Sequence, residues 1–238
     1  MHYRIEAPDP RNHLFQVTLT VAQPAAVQEL VLPVWIPGSY LVREFARHLQ
    51  GLQARQGRKA CAITQIDKHR WRVDCQPGKP LELRYAVLAH DDSVRTTWLD
   101  STRAFFNGTS LCLRVEGQSA QPCSIDIDAP ELIADSADWY CATALFPQKV
   151  NARGFGRYGA QAYAHLVDCP VEMGPFWSAR FTACGVPHRV VVAGAPASFD
   201  GQRLVQDMRR ICETAIRFWH CEGKAPFENY LFLLNVVN

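Results

Sequence analysis

The chain has little that would tie it to a membrane, a nucleic acid or a redox centre. None of its apolar runs reaches the roughly 18–20 residues that a membrane-spanning helix requires. Its 25 Lys and Arg nearly balance 23 Asp and Glu, which leaves a formal net charge of +2. Because so small a charge creates no strong field, the sequence predicts neither a nucleic-acid nor a membrane partner.

The first residues also lack the pattern of an export signal. Residues 1–6 are charged and aromatic in part, with no apolar segment followed by small residues. The nine cysteines are odd in number, and no two have the C-x-x-C spacing that is typical of redox and metal motifs. We therefore expect free, buried thiols in a cytoplasmic protein.

Apolar residues at every second position predict β-strands over the N-terminal part of the chain. With 48% hydrophobic and 20% charged residues, the composition is that of a folded protein with one large or two small domains. Many short strands without intervening helices favour a mainly β fold, a β-sandwich or saddle. The predicted strands are 15–21, 81–89, 111–115, 124–127 and 140–145, a hairpin of 62–66 with 71–75, and a fully buried strand at 30–36.

The C-terminal third has a different pattern. A strand pair is predicted within 181–192, turning at Cys184 and Gly185, and a helix at 202–220 begins near Asp200. The helical spacing of its apolar residues predicts one buried face, formed by Leu204, Met208, Ile211, Ala215, Phe218 and Trp219. A strongly apolar strand follows at 230–237, whereas 151–159 has the composition of a loop.

The apolar strand at 230–237 stops with the sequence at Asn238. A buried strand needs neighbours at both edges and on both faces, and no later residues are given that could supply them. This pattern predicts a truncated chain with an exposed apolar patch, which leads us to expect self-association through the C-terminal strand. A complete small protein that ends on a central strand is the alternative.

Two short motifs resemble parts of known catalytic or nucleotide-binding signatures. Residues 154–159 match G-x-G-x-x-G, but no apolar strand precedes them, which favours a flexible glycine loop over a dinucleotide site. His220, Cys221 and Glu222 match only half of a zinc-deaminase signature, and a helix end is the simpler interpretation. The sequence has no H-E-x-x-H and no G-x-S-x-G motif, so it predicts no catalytic or metal-binding residue of its own.

The segment 35–45 is the most unusual in the sequence. Pro37 and Gly38 predict a sharp turn, and Arg43 and Glu44 bring opposite charges next to aromatic residues. A structural corner with an internal Arg43–Glu44 ion pair is one interpretation. The lip of a substrate cleft is the other.

That segment carries a family resemblance. Residues 33–40 read P-V-W-I-P-G-S-Y and 43–48 read R-E-F-A-R-H, which resembles the N-terminal region of the glycyl aminopeptidases, zinc metallopeptidases that commonly carry a C-terminal PDZ domain. Further strings keep the family order along essentially the whole chain. They are D-K at 67–68 with Trp71, D-S-V-R-T at 92–96, F-N-G-T-S-L at 106–111 and L-V-D-C-P-V-E-M-G at 166–174.

The resemblance implies an N-terminal β domain at 1–168 and the start of a thermolysin-like α+β catalytic domain at 169–238, incomplete here. Zinc and short peptide substrates would belong to the full-length protein, whose H-E-x-x-H segment would follow residue 238. This chain would bind no cofactor and would supply support and cleft shape. Arg43, Glu44, Asp168 and Glu172 are the polar residues that we expect near an interdomain groove.

Two further hypotheses stay open at this stage. In the first hypothesis, the chain is a complete β-sandwich module that binds peptides or proteins without enzymatic activity. In the other, it would be a hydrolase that uses one of its own cysteines. The first predicts a defined binding stoichiometry, and the second predicts turnover that thiol reagents abolish.

Overall fold

A computed structural model describes residues 1–36, 39–132, 138–220 and 223–237. In these ranges the fold is mainly β, as the sequence predicts. The strands are β1 (His2–Glu6), β2 (Leu14–Val21), β3 (Val27–Val31), β4 (Leu49–Gln56), β5 (Lys59–Ala60), β6 (Ile63–Asp67), β7 (Arg70–Asp74), β8 (Leu81–Leu88), β9 (Thr97–Leu99), β10 (Ala104–Phe106), β11 (Arg114–Val115), β12 (Cys123–Ile127), β13 (Tyr140–Thr143), β14 (Phe146–Val150), β15 (Gly156–Ala160), β16 (Val171–Gly174), β17 (Phe176–Ala183), β18 (Val186–Ala193) and β19 (Tyr230–Asn235). The α-helices are α1 (Gly108–Leu111), α2 (Tyr163–Asp168) and α3 (Gly201–Trp219), and short 3-10 turns occupy Pro10–Asn12 and Phe45–His48.

Three sheets enclose one large hydrophobic core formed by residues up to Met173. An eight-stranded sheet runs β14-β15-β12-β1-β2-β8-β4-β5, and two four-stranded sheets run β11-β3-β7-β6 and β13-β16-β10-β9. The alternation seen in the sequence explains this core, because the apolar positions of β2 and β8 are buried while their neighbours are less so.

The last part of the chain forms a separate small cluster. Strands β17, β18 and β19 make a three-stranded sheet, in which β19 lies at an edge and runs parallel to β18. Helix α3 packs against β17 through Cys212 and Ile216, which contact Phe181 and Ala183. The side chain of Asp200 accepts a hydrogen bond from the Arg203 N–H at 2.9 Å, which stabilises the start of the helix.

The buried face predicted for the helix is wrong in its details. The exposed fractions of Ile211, Phe218 and Trp219 are 66%, 75% and 75%, whereas Cys212 and Ile216 are buried. The helix packs mainly against β17, so the stripe that faces this strand is the covered one. None of the helices in the described residues is long and apolar enough to cross a membrane.

The strand predicted at 111–115 is wrong over its first half, where residues 108–111 form α1 and only Arg114–Val115 are β. At residues 111–113, three buried tyrosine hydroxyls take the place of the backbone hydrogen bonds that a neighbouring strand would make. Tyr85, Tyr163 and Tyr3 donate to the carbonyl oxygens of the successive residues 111, 112 and 113 at 2.7, 2.7 and 2.8 Å. Burial raises the pKa of all three tyrosines well above the usual value, so each hydroxyl remains a donor.

Two other predicted strands differ at their ends. Strand β3 stops at Val31 instead of continuing to residue 36, since Pro33 has no N–H and Leu32 already donates to the His69 carbonyl at 3.0 Å. Strand β13 ends at Thr143 rather than residue 145, because Thr143 Oγ1 accepts from the Leu145 N–H at 3.3 Å and turns the chain.

The loop predicted at 151–159 is also wrong in part, because β14 and β15 form a hairpin across it. Asn151 closes the turn by accepting hydrogen bonds from the backbone of Arg153 and Phe155. Gly154 and Gly156 have positive φ angles of 87° and 134°, and a Cβ on Gly156 would lie 2.2 Å from the Lys149 carbonyl oxygen. The glycines therefore serve a tight antiparallel hairpin.

Candidate functional site

Arg43 lies at a corner after β3 and is held by its own segment. Its backbone N–H donates to the Val34 carbonyl at 2.5 Å, and its Nε donates to Ser39 Oγ at 3.3 Å. The indole N–H of Trp35 donates to the Ser39 carbonyl at 2.5 Å. Ser39 is buried, and these two hydrogen bonds connect Trp35 and Arg43 through it. The predicted turn at 37–38 itself lies outside the described residues.

Glu44 does not pair with Arg43, so the expected internal ion pair is wrong. Its Oε1 lies 3.1 Å from the Lys68 Nζ, at the turn between β6 and β7. Both side chains are exposed, which makes this a weak surface ion pair. Tyr40 is fully exposed beside it, so the corner presents an aromatic side chain to solvent.

Glu172 forms the most buried ion pair among the described residues. It lies in the middle of β16, opposite Phe105 of β10 and Ala142 of β13. Arg103 meets it with two parallel hydrogen bonds of 2.7 Å, and the Arg103 guanidinium also lies 5.4 Å from the Phe105 ring centroid. Burial raises the pKa of Glu172 to about 7, an effect that Arg103 opposes.

Asp168 lies elsewhere, at the end of α2. It lines a cavity of about 720 Å³ together with His165, Phe146, Glu228 and Tyr230. This cavity lies between the β13–β14 region and the segment that leads into β19. That Asp168 faces an interdomain groove stays a prediction. Within the described residues, no side-chain hydrogen bond or ion pair joins any two of Arg43, Glu44, Asp168 and Glu172, so the four do not form one site.

A second cavity, of about 460 Å³, adjoins the first and shares Phe146, Asn229 and Tyr230 with it. Arg180 and Arg189 project into it from directly opposite positions on β17 and β18. Burial lowers the pKa of Arg189, and the charge of Arg180 lowers it further. Arg189 Nε donates to Ser178 Oγ at 2.9 Å. Like charges at opposite positions of a sheet repel each other, and Arg189 also packs over the Phe176 ring at 5.9 Å.

Nothing in the spacing of Arg180 and Arg189 along the sequence marks them as a pair. They are nine residues apart along the chain, and only the register of the β17–β18 hairpin brings them together. The cavity between them and β13–β14 depends on contacts between distant segments. A hairpin prediction with its turn at Cys184–Gly185 was the one signal that could have paired them.

The described residues do not fit a zinc ligand set. None of their His, Cys, Asp and Glu side chains form a group of three or more that could hold a metal ion. The half-motif at 220–222 has its Cys221 and Glu222 outside the described residues, while the His220 N–H donates to the Ile216 carbonyl at 2.9 Å and closes α3. No chemical step is assigned to a metal in this chain.

The glycine motif does not form a phosphate-binding loop either. Its last four residues, 156–159, lie within β15, which is antiparallel to both β14 and β12. Dinucleotide binding needs a glycine loop between a parallel strand and the helix that follows it, which this hairpin does not provide. The flexible glycine loop that the sequence favours is also wrong over residues 156–159, because they are paired on both sides.

Comparison with known proteins supports a peptidase relationship. The sequence profile described as the Peptidase M61 N-terminal domain matches residues 2–175. A search of curated proteins gives no match. Among solved structures, an aminopeptidase N family protein from Idiomarina loihiensis is 39% identical, with a TM-score of 0.91 over 99% of this chain. This chain spans only 39% of that protein's length.

More distant structures share the fold alone. A variant of an M1 zinc metallopeptidase from Deinococcus radiodurans, bound to a Tyr-Ser-Ala substrate, is 17% identical with a TM-score of 0.55. A two-domain M1 zinc metallopeptidase bound to L-arginine is 16% identical, also with a TM-score of 0.55. All of this chain aligns with each of them, and it covers 56% of each.

Proposed function

Because this chain belongs to the peptidase M61 family through its N-terminal domain, we propose that it is the noncatalytic N-terminal portion of a zinc-dependent aminopeptidase. The observation that carries the proposal is the 39% identity to an aminopeptidase N family protein over 99% of this chain. The chain resembles the N-terminal part of zinc metallopeptidases, and the catalytic activity would belong to residues beyond those given.

We propose a domain boundary close to residues 169–175. The family profile extends to residue 175, and β16 pairs with β10 and β13 in a sheet of the N-terminal part. The apolar cluster around Phe181 and Ile216 is separate from the large core. Residues that follow Gly174 would thus be the start of a thermolysin-like catalytic domain, slightly later than the sequence boundary at 168.

The role proposed for this chain is support and cleft shape. The buried Arg103–Glu172 pair fixes β16 immediately before the proposed boundary. The groove between β13–β14 and the β17–β19 sheet carries the Arg180–Arg189 pair and Asp168. In a full-length enzyme these residues would set the relative positions of the two domains and the electrostatic potential of the groove.

The finer proposals concern the full-length protein. Its substrates would be short peptides with a free N-terminus, of the class taken by glycyl aminopeptidases, and a PDZ domain and a cytoplasmic location would go with that family. Zinc would be bound by an H-E-x-x-H segment and a further glutamate, none of which lies in this chain. The quoted strings at 33–48 and 166–174 support this assignment.

The test compares this chain with the protein encoded by the complete gene. We expect the complete protein to release glycine from short peptides and to contain one zinc per chain by mass spectrometry. A chelator should abolish that activity and added zinc should restore it. The 238-residue chain alone should show neither activity nor bound zinc.

Each opposite result contradicts a definite part of the proposal. Stoichiometric zinc or peptide turnover in the 238-residue chain would overturn the noncatalytic role. A complete gene without H-E-x-x-H, whose product binds peptides at fixed stoichiometry without cleaving them, would instead support the binding-module alternative. Turnover abolished by a thiol reagent but not by a chelator would support the cysteine hydrolase.

A further inference from the structure

Two cysteines face each other across the hairpin of β6 and β7. Ile63 pairs with Val73, and the Asp74 N–H donates to the Ala62 carbonyl at 3.1 Å. Extending the same register by one residue places Cys61 directly opposite Cys75. Both thiols are free in the structure.

The backbone at this position suits a disulfide. Hydrogen-bonded and non-hydrogen-bonded pairs alternate along an antiparallel hairpin. Because residues 62 and 74 are hydrogen-bonded, residues 61 and 75 form a non-hydrogen-bonded pair, and in such pairs the Cα atoms typically lie about 4.5 Å apart. The Cys61 N–H donates instead to Ala54 at 2.9 Å, and the Cys75 N–H donates to Ala26 at 2.8 Å. Disulfides connect residues whose Cα atoms lie about 4.4–6.8 Å apart, a range that includes the separation typical of such a pair.

The register also places the two side chains on the same side of the hairpin. Opposite residues of an antiparallel pair share a face, and both cysteines pack against the large core. The Oε1 atom of Gln56 connects the two cysteine segments. It accepts one hydrogen bond from the Cys61 thiol at 3.8 Å and another from the N–H of Gln76, the residue after Cys75, at 2.7 Å. Burial raises the pKa of Cys75, and the neighbouring Cys61 thiol raises it further.

Cys61 is reachable from solvent through a basic cavity. It lines an open cavity of about 460 Å³ together with three arginines and one glutamate. Arg55 and Arg84 each bind Glu82, at 2.6 and 2.7 Å, so the cavity keeps an excess of positive charge that includes Arg58. A small molecule that carries carboxylates would be attracted there.

We propose that Cys61 and Cys75 are a dithiol–disulfide pair that is oxidised by small acidic disulfides of the oxidised-glutathione class. The Cys61 thiolate attacks one sulfur of the small disulfide, which forms a mixed disulfide and releases one thiolate. The Cys75 thiolate then attacks the Cys61 sulfur, forms the Cys61–Cys75 bond and releases the second thiolate. The two protons of the protein thiols pass to the released thiolates, so two protein thiols are oxidised and one small disulfide is reduced to two thiols.

The other buried cysteines are poor competitors. Burial raises the pKa of Cys123 to about 11, and that of Cys141 and Cys169 to about 12 in each case. Cys112 is completely buried, and its pKa is also raised. Because only the thiolate reacts, these four buried sites should exchange slowly. Among the described cysteines, the partly exposed Cys184 has no cysteine opposite it in its hairpin and serves as the control.

The test treats the full reduced chain with oxidised glutathione and measures intact mass and the disulfide-linked peptides under native conditions. We expect the loss of two hydrogens, one peptide pair linking Cys61 to Cys75, and full reversal by dithiothreitol. The Cys75→Ser variant should stop at the mixed disulfide and gain one glutathione, whereas Cys184→Ser should behave like the unmodified chain. Arg58→Glu should slow oxidation severalfold.

Several outcomes would overturn the proposal. These are a linked peptide pair that joins other cysteines, a Cys75→Ser variant that gains no glutathione, and an unmodified chain that stays fully reduced. Peptide mapping of the unmodified chain decides the pairing even where a variant does not fold. An Arg58→Glu variant oxidised at the unmodified rate would refute the preference for acidic disulfides.

Discussion

Arg103 and Glu172 are joined by two parallel hydrogen bonds of 2.7 Å, at the point where the large core ends and the C-terminal sheet begins. Their side chains are 15% and 2% exposed, so neither charge is well solvated. The pair is 69 residues apart in sequence and holds β10 next to β16. Its strength depends on both partners remaining together.

Removing the arginine should destabilise the protein strongly. Arg103→Ala leaves the Glu172 carboxylate buried without a partner, and we expect a loss of about 3–5 kcal/mol in the free energy of unfolding by urea denaturation. Arg84→Ala breaks an exposed ion pair with Glu82 and should cost no more than about 1 kcal/mol. Equal losses in the two variants would contradict the burial argument.

The stability should depend on pH through Glu172, whose pKa is raised to about 7 by burial. Below about pH 4.3 the native and unfolded chains both hold this proton, and above pH 7 both have lost it. Between these values the unfolded chain alone has lost it, so this residue's contribution to stability should fall as the pH rises. Glu172→Gln should remove that slope in urea denaturation at a series of pH values, and an unchanged slope would refute the assignment.

The Tyr85 hydroxyl should stabilise the core measurably. It donates to the Leu111 carbonyl at 2.7 Å and accepts from the Leu113 N–H at 3.2 Å, both out of contact with water. We expect Tyr85→Phe to reduce the free energy of unfolding by about 1–3 kcal/mol, because two buried backbone groups lose their partner. Tyr40→Phe removes a fully exposed hydroxyl and should have no effect, so a comparable loss there would count against this reasoning.

Gly156 should not tolerate a side chain. Its φ is +134°, and the added Cβ would lie 2.2 Å from the Lys149 carbonyl oxygen, so Gly156→Ala should cost more than about 3 kcal/mol in thermal or urea unfolding. Gly78 also has a positive φ, +77°, but nothing lies within 4 Å of the added Cβ. Gly78→Ala should therefore cost only about 1–2 kcal/mol, and similar losses at both sites would exclude the steric explanation.

The edge strand β19 should promote association of the 238-residue chain. Tyr230 and Leu234 are about two-fifths exposed on it, and Phe218 and Trp219 of α3 are exposed as well. Sedimentation velocity should show species that grow with concentration, and Leu234→Lys should reduce them because a charge on an edge strand opposes pairing. Val94→Lys alters an exposed apolar residue away from this edge and serves as the control. A monomer at all concentrations would contradict the prediction.

The strand pattern was predicted well where one face of a strand meets the core. Strands β2, β7, β8 and β12 agree with the alternation of apolar residues, since that alternation is imposed by burial of one face. The errors have other causes, and the one at 111–113 is not local. At 111–113 the carbonyls bind tyrosine hydroxyls from three distant segments, and no local pattern encodes such a partner.

The placement of Arg43, Glu44, Asp168 and Glu172 near an interdomain groove stays a prediction. The expectation for Glu172 and Asp168 near an interdomain groove was drawn from family strings, and the structure gives Glu172 a buried partner that the strings did not name. Arg180 and Arg189 were missed, as was the opposition of Cys61 to Cys75. Each of these pairs depends on strand register, which shifts by whole residues with the geometry of a turn.

The amino-acid sequence by itself determined the mainly β class, most of the strands, the C-terminal helix and the family relationship, because these depend on periodicity and on contiguous strings of residues. Only the tertiary structure decided which charges and thiols meet. Burial fixes which face of a strand points inward, but the partner of a side chain across a sheet or a groove is set by register and by the packing of segments far apart in the chain. The Arg103–Glu172 pair, the arginine-lined groove and the facing cysteines all belong to that second category.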